Sequence, residues 1–355
     1  MSDTPRPRRE PSPRRLFAIA IAAAVVSFVL ALSFGFADHA PSPHGVRIAV
    51  AGPAGFAAEL TTGLAHAAPG GFTVVAAPSA PAAIGSVRSQ SAAGGLVTGV
   101  TGPVTIVTAG AAGLSQQQAI TAALTAAAAA LHRQARPLDL APLPASDRAG
   151  LSVFVFELGL LIPSVIGSIG LFLVGRRFRL WWRVTAAVVF ALLAACGSVL
   201  ALDTVLGALT GASAALLGIA FLGSLTYVAF ITACQAVTGL PGTALGALAF
   251  IFVGNAVSGG SVPIGFLPNV FRQIAPWLPN SAIVSGARDA VYFNGHDLGH
   301  ALLVLFIWPA VALAVLALVD LLHLSERRRL PHPAHEIYRT PAVVHIKRRL
   351  RDQTA

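Results

Sequence analysis

Charge is what this 355-residue chain has least of: only 11% of its residues are Asp, Glu, Lys or Arg. Soluble domains carry roughly 25%, so an ordinary hydrated surface is excluded and lipid must cover much of the chain. Lysine is nearly absent, with Lys347 alone among arginines. Together with abundant Ala, Gly and Pro this matches GC-rich coding and carries no chemical reading. Cysteine is scarce as well. Cys196 and Cys234 both fall in apolar runs, without metal-ligand spacing and without a partner for an exported disulfide; they read as small buried hydrophobes.

Enzyme signatures are missing too. No GxxxxGK[ST] occurs, so the chain has no P-loop for nucleotide phosphates. Gly52-Pro53-Ala54-Gly55 lacks the GxGxxG pattern and its downstream acid, and reads as a plain strand-to-helix turn. His332-Pro333-Ala334-His335-Glu336 does not match HExxH, and Pro333 opposes a helix there. Ser115, His132 and Asp139 are the residue types of a hydrolase triad, but nothing orients them together. No catalytic residue, cofactor or metal site is expected.

What the chain does have is apolar length. Apolar residues make up 55% of it and the mean hydropathy is +0.75. Residues 1–15 are Pro-rich and basic and read as a disordered tail. Residues 16–36 form an uncharged run, and roughly 20 apolar residues cross a bilayer. A cleavable signal peptide ending near Ala37 competes with this reading, although the run is long for an h-region. Further apolar stretches at 151–174, 184–202, 212–232, 243–258 and 301–322 predict five more spans. Residues 150–323 thus read as a five-helix membrane domain, and 324–355 as a second basic tail. The fold class expected is a polytopic α-helical membrane protein with six transmembrane helices and a small α/β domain between the first and second.

That domain occupies residues 37–149, where charges return and short strand patterns alternate with helical ones. Strands are expected at 46–50, 72–75, 96–100 and 104–107, the last two flanking the Thr101-Gly102-Pro103 turn. Helices are expected at 56–66 and 81–90. A third begins at Ser115, where Ser115 and Gln118 fit a capping box, and runs with Ile120, Leu124, Ala128 and Leu131 on one face until Pro137.

The arginines orient the chain. Segments 1–15, 176–183 and 327–351 hold 5, 4 and 8 basic residues, 17 of the 24. The positive-inside rule places these in the cytoplasm, with both termini, and the α/β domain outside. The net charge of +10 therefore lies beside membrane ends, where it meets anionic lipid, and nucleic acid is not an expected partner. The localisation that follows is the inner (cytoplasmic) membrane.

Polar residues inside apolar spans are the candidate pathway or gating groups. Glu157 is the one acid well inside a span, and intramembrane ionisable groups are functional candidates by default. Asn255 lies in the fifth span, where helix-packing glue is the competing role. Glycines crowd the third to fifth spans, Gly223, Gly242, Gly246 and Gly254 among them, as close helix packing requires. Residues 259–299 are too polar and Pro-rich to span. They predict a hairpin of two short amphipathic helices at the outer interface, around 269–277 and 281–292, with Pro268 in the first turn and Trp277 and Tyr292 at headgroup depth; Arg288 is a candidate partner for Glu157, with Asp289 or water the competing partner.

The run from Ser258-Gly259-Gly260 through Pro263, Leu267-Pro268 and Leu278-Pro279 to Arg288 resembles the end of ABC-2-type transporter permeases. The layout of one span, an outer α/β domain and five spans resembles the subgroup that includes the phage-infection-protein-like membrane proteins. The resemblance implies a homodimeric export permease for a lipid, drug, peptide or polysaccharide-type substrate, with a separate ATP-binding subunit. Gly175 to Arg183 leaves barely two turns for the coupling helix such permeases place there. The alternative is an envelope scaffold or receptor whose outer domain binds a partner without ATP-driven transport.

Overall fold

The computed structural model describes residues 42–175 and 178–329, with side chains to 322, and, within 17–33, residues 17, 21, 24–29 and 31–33. Residues 1–15, ten residues of the first apolar run and residues 330–355 of the second basic tail lie outside the described residues.

Strand β1 (Val46–Ala51) opens the α/β domain, followed by α1 (Phe56–Ala67), β2 (Phe72–Ala76), α2 (Ala80–Arg88), β3 (Gly94–Val97), β4 (Val104–Thr108), α3 (Leu114–Ala130) and β5 (Ala135–Asp139). The sheet order is β2-β1-β3-β4-β5, with only β3–β4 antiparallel. Alternation along β1 sets the layers. Val46, Ile48 and Val50 join Leu60 of α1 and Ile120 and Leu124 of α3 in one core. Ala49 and Ala51 pack with Ala83 of α2 on the other face.

Two expectations for this domain are corrected. Ser115 is not the cap of α3. The helix begins at Leu114 behind Gly113 (φ 141°), and Asp139 holds its entry by accepting from Gly110 N (2.9 Å) and Gln117 Nε2 (2.7 Å). Nor does α3 run on to Pro137: it ends at Ala130, and Pro137 pairs opposite Ile106 within β5. On an edge strand the missing N–H of proline can face away from the ladder.

Four helices long and apolar enough to cross a membrane follow: α4 (Ser152–Gly175), α5 (Leu180–Val205, its last six residues a π-turn), α6 (Ser213–Thr238) and a later helix beginning at Leu298. This is the architecture of a multi-pass membrane protein, with four such helices among the described residues and not six. The expected fifth span, 243–258, is instead the shorter α7, Pro241–Leu248 continued by a π-turn to Gly254. Its length of about 20 Å falls short of a hydrocarbon core of roughly 30 Å. After it come α8 (Asn269–Ile274), α9 (Pro279–Tyr292) and α10 (Leu298–Arg329). Pro268 precedes α8 as its cap and is not in its first turn.

Both short helices of the expected hairpin are present; Val270 and Trp277 are exposed, whereas the second helix is not the one-faced surface helix that its spacing predicts. From Pro279 to Val284 and from Gly286 to Asp289, α9 is buried; its Ile283 and Ala287 share a core with Leu160 of α4, Ile219 and Tyr227 of α6 and Ala301 of α10. The near-continuous burial explains why amphipathic spacing misplaced it: a helix packed on several sides has no solvent face to conserve. Glycine makes this packing fit. A Cβ on Gly223 would meet Ile283 Cδ1 at 2.7 Å, and one on Gly242 would meet the Cys234 backbone at 2.3 Å. Cys196 faces outward and Cys234 is half-buried, so neither is the core residue expected.

Candidate functional site

Asp147 builds the start of α4. Its carboxylate accepts from Leu151 N (3.0 Å) and Ser152 N (3.1 Å), two of the donors a helix start leaves open. The second turn then carries Glu157 into the bundle, where it is fully buried. Its Oε1 accepts from Tyr227 Oη (2.5 Å) and Asn280 Nδ2 (2.7 Å). Asn280 lies in the first turn of α9, whose positive dipole end therefore faces the carboxyl group.

The same amide also donates to Phe250 O (3.2 Å) in the π-turn that ends α7. That carbonyl receives Asn255 N (2.8 Å) across the widened turn. The hydroxyl of Ser33, in the first apolar run, donates to the neighbouring carbonyl of Phe252. Irregular turns inside helices free carbonyls in this way and recur at functional sites. Gly254 makes the meeting of α7 and α9 fit, since a Cβ there would lie 2.0 Å from Asn280 Oδ1. Four polar atoms around this junction have no hydrogen-bond partner: Glu157 Oε2, Asn280 Oδ1, Asn255 Oδ1 and Ser224 Oγ.

Arg288 does not reach this hub. It stands two turns farther along α9, about 12 Å from Asn280, and its Nη2 donates to Gly259 O (3.1 Å). The candidate Glu157–Arg288 ion pair is thus replaced by a neutral-donor network. Glu157 and Asn255 are brought near one junction; Arg288 belongs to another site. Tyr227 and Asn280 were missed. A tyrosine in mid-span was the available signal for the first, while Asn280 read as a turn residue beside Pro279.

The residues behind the family resemblance form the seam between the bundle and the α/β domain. Ser258 Oγ accepts from Gly260 N (3.2 Å). A Cβ on Gly260 would meet Phe154 at 2.4 Å, and Pro263 lies 2.5 Å from where Gly113 would carry one. Leu267 is buried in the same core as Ile48 and Ile106, with Leu278 packed against it. Pro279 opens α9 where its missing N–H costs nothing.

Beside this seam, against the α/β domain, lies a cleft of about 650 Å³, lined by residues including His44, Arg47, Gln90, Arg272, Arg288 and Asp289. Gln90 donates to Asp289, and Arg272 donates to the carbonyl of His44. Beside Phe230 and Trp308 is an open apolar groove of about 440 Å³, which Cys234, Leu245 and Val311 also line, the last two exposed. Tyr227, Phe250, Phe230 and Trp308 stack edge-on at 4.8–5.3 Å between the hub and this groove. No three His, Cys, Asp or Glu gather as metal ligands among the described residues.

Comparison with protein-family models, curated proteins and solved structures finds no match to this chain.

Proposed function

We propose that this protein is a membrane permease of the export type, in which the junction of α7 and α9 is the gate. The carrying observation is a fully buried Glu157 where two helices meet that are each too short to cross alone. Transporters commonly build their central site from such discontinuous helices near the bilayer midplane. A polar cleft lined by Arg288 of α9 and an open apolar groove beside the aromatic cluster are the openings such a path would join, and the aromatic cluster and the tip of α9 hold it shut.

In this reading α7 and the 259–299 segment together make one composite crossing. With the first apolar run and the four long helices, that returns both termini to the cytoplasm. The ABC-2-type resemblance supplies the substrate class, an amphipathic lipid, drug, peptide or polysaccharide-type molecule, and a homodimer served by a separate ATP-binding subunit.

One observation favours the second reading, an envelope scaffold or receptor. Helix α4 ends at Gly175 and α5 starts at Leu180, which leaves no room between them for a helix that docks on an ATPase.

Solvent access at the gate separates the two. In a Cys196→Ala/Cys234→Ala background, Ser281→Cys places a near-isosteric thiol in the first turns of α9. A gate that alternates exposes it to an impermeant maleimide from each side, in right-side-out and in inverted vesicles. Protection from either side refutes the permease reading.

A further inference from the structure

The cleft beside the seam contains two buried polar atoms that the protein leaves without partners, Arg288 Nε and His44 Nδ1. Arg288 is only 9% exposed, and its single hydrogen bond, to Gly259 O, uses one of its five N–H groups. Burying a guanidinium with donors unmet costs free energy unless a ligand meets them. Arg47 is exposed on the same cleft wall, and Arg272 lines it while held to His44 O and Asn269 Oδ1.

The opposing charges are fewer and partly engaged. Asp289 is hydrogen-bonded by Gln90, which leaves Asp297 as the unengaged carboxylate among the cleft-lining residues. The cleft also falls in the range of roughly 300–1,000 Å³ typical of small-molecule sites. Planar guanidinium forks match the geometry of phosphate oxygens.

We propose that this cleft binds a phosphate-bearing ligand, with Arg288 as the buried anchor, Arg47 as the exposed second contact, and His44 completing the polar wall. Two sources carry this chemistry: the headgroup of an anionic phospholipid and a phosphorylated solute. The site does not depend on the transport reading, since a receptor would hold such a ligand equally well.

Equilibrium binding to the purified full-length protein tests it with two probes. Glycerol 3-phosphate is titrated calorimetrically in detergent. Retention of phosphatidylglycerol is measured by native mass spectrometry from nanodiscs that also contain phosphatidylcholine. Saturable binding of the solute identifies a soluble ligand, and selective retention of phosphatidylglycerol alone identifies a headgroup; each supports the site. Arg47→Ala, a change at an exposed position, should weaken binding about tenfold through loss of one charge-assisted contact. Arg288→Lys keeps the charge but loses the fork and should weaken it similarly; if that variant does not fold, Arg47→Ala decides alone. Binding of neither probe, or full affinity in a folded variant, overturns the proposal.

Discussion

Adding one methyl group at Gly254 tests whether the α7–α9 junction is packed as described. The three atoms nearest a Cβ there are Oδ1 (2.0 Å), Cγ (2.5 Å) and Nδ2 (3.1 Å) of Asn280, all beyond that residue's own Cβ. Gly254→Ala must therefore displace the Asn280 amide. Overpacking a closed core costs roughly 1–3 kcal/mol. The amide also leaves Glu157 and Phe250, and hydrogen bonds between membrane helices are each worth about 0.6 kcal/mol. The expected loss is about 2–4 kcal/mol, read as a shift in the SDS-unfolding midpoint of the purified protein. Asn280→Ala removes all three obstructing atoms, so Gly254→Ala made in that background should cost less than about 1 kcal/mol, a coupling well outside additive behaviour. Equal costs in the two backgrounds would refute the junction.

Two further outcomes follow from the structure. Ser115→Ala should leave stability within about 0.5 kcal/mol, as for an ordinary surface change, because Ser115 caps nothing, whereas Asp139→Ala strips Gly110 N, Gln117 Nε2 and Ala141 N of their acceptor and should cost about 1–3 kcal/mol; thermal melts of the full chain compare them. Single cysteines at Ser89 and Asn294 should react with an impermeant maleimide in intact cells while one at Arg179 stays protected, and labelling at Arg179 would reverse the orientation drawn from the basic loops.

The parts legible in the sequence were those with a simple period. Alternation in β1 and the long apolar runs of α4, α5, α6 and α10 placed those elements within a few residues. The α/β character followed from patterns at 46–50, 56–66, 72–75 and 104–107. The failures share a physical origin. Pro137 and the Ser115 box are local signals, and each was overridden by a partner distant in sequence: Ile106 across the sheet, and Asp139 at the helix entry. Residues 279–292 carry polar groups that suggest an interface, yet Asn280 Nδ2 bonds to Glu157 inside the bundle and Arg288 Nη2 bonds to Gly259 O. Glu157 was recognisable from its type alone. Tyr227 and Asn280 required knowing that α6 and α9 pack against α4.

The seam at Pro263, Phe266 and Leu267 has a consequence for biogenesis. Phe266 and Leu267, with Val262 and Ala275, complete the core that Val46, Ile48 and Ile106 begin, yet they are synthesised more than a hundred residues after β5. The sheet emerges with a face that stays unfilled until the ribosome has passed residue 275. During that interval a chaperone or the membrane-insertion machinery has to shield the face, and a chain truncated before residue 260 should be cleared by proteolysis instead of accumulating as a free α/β domain.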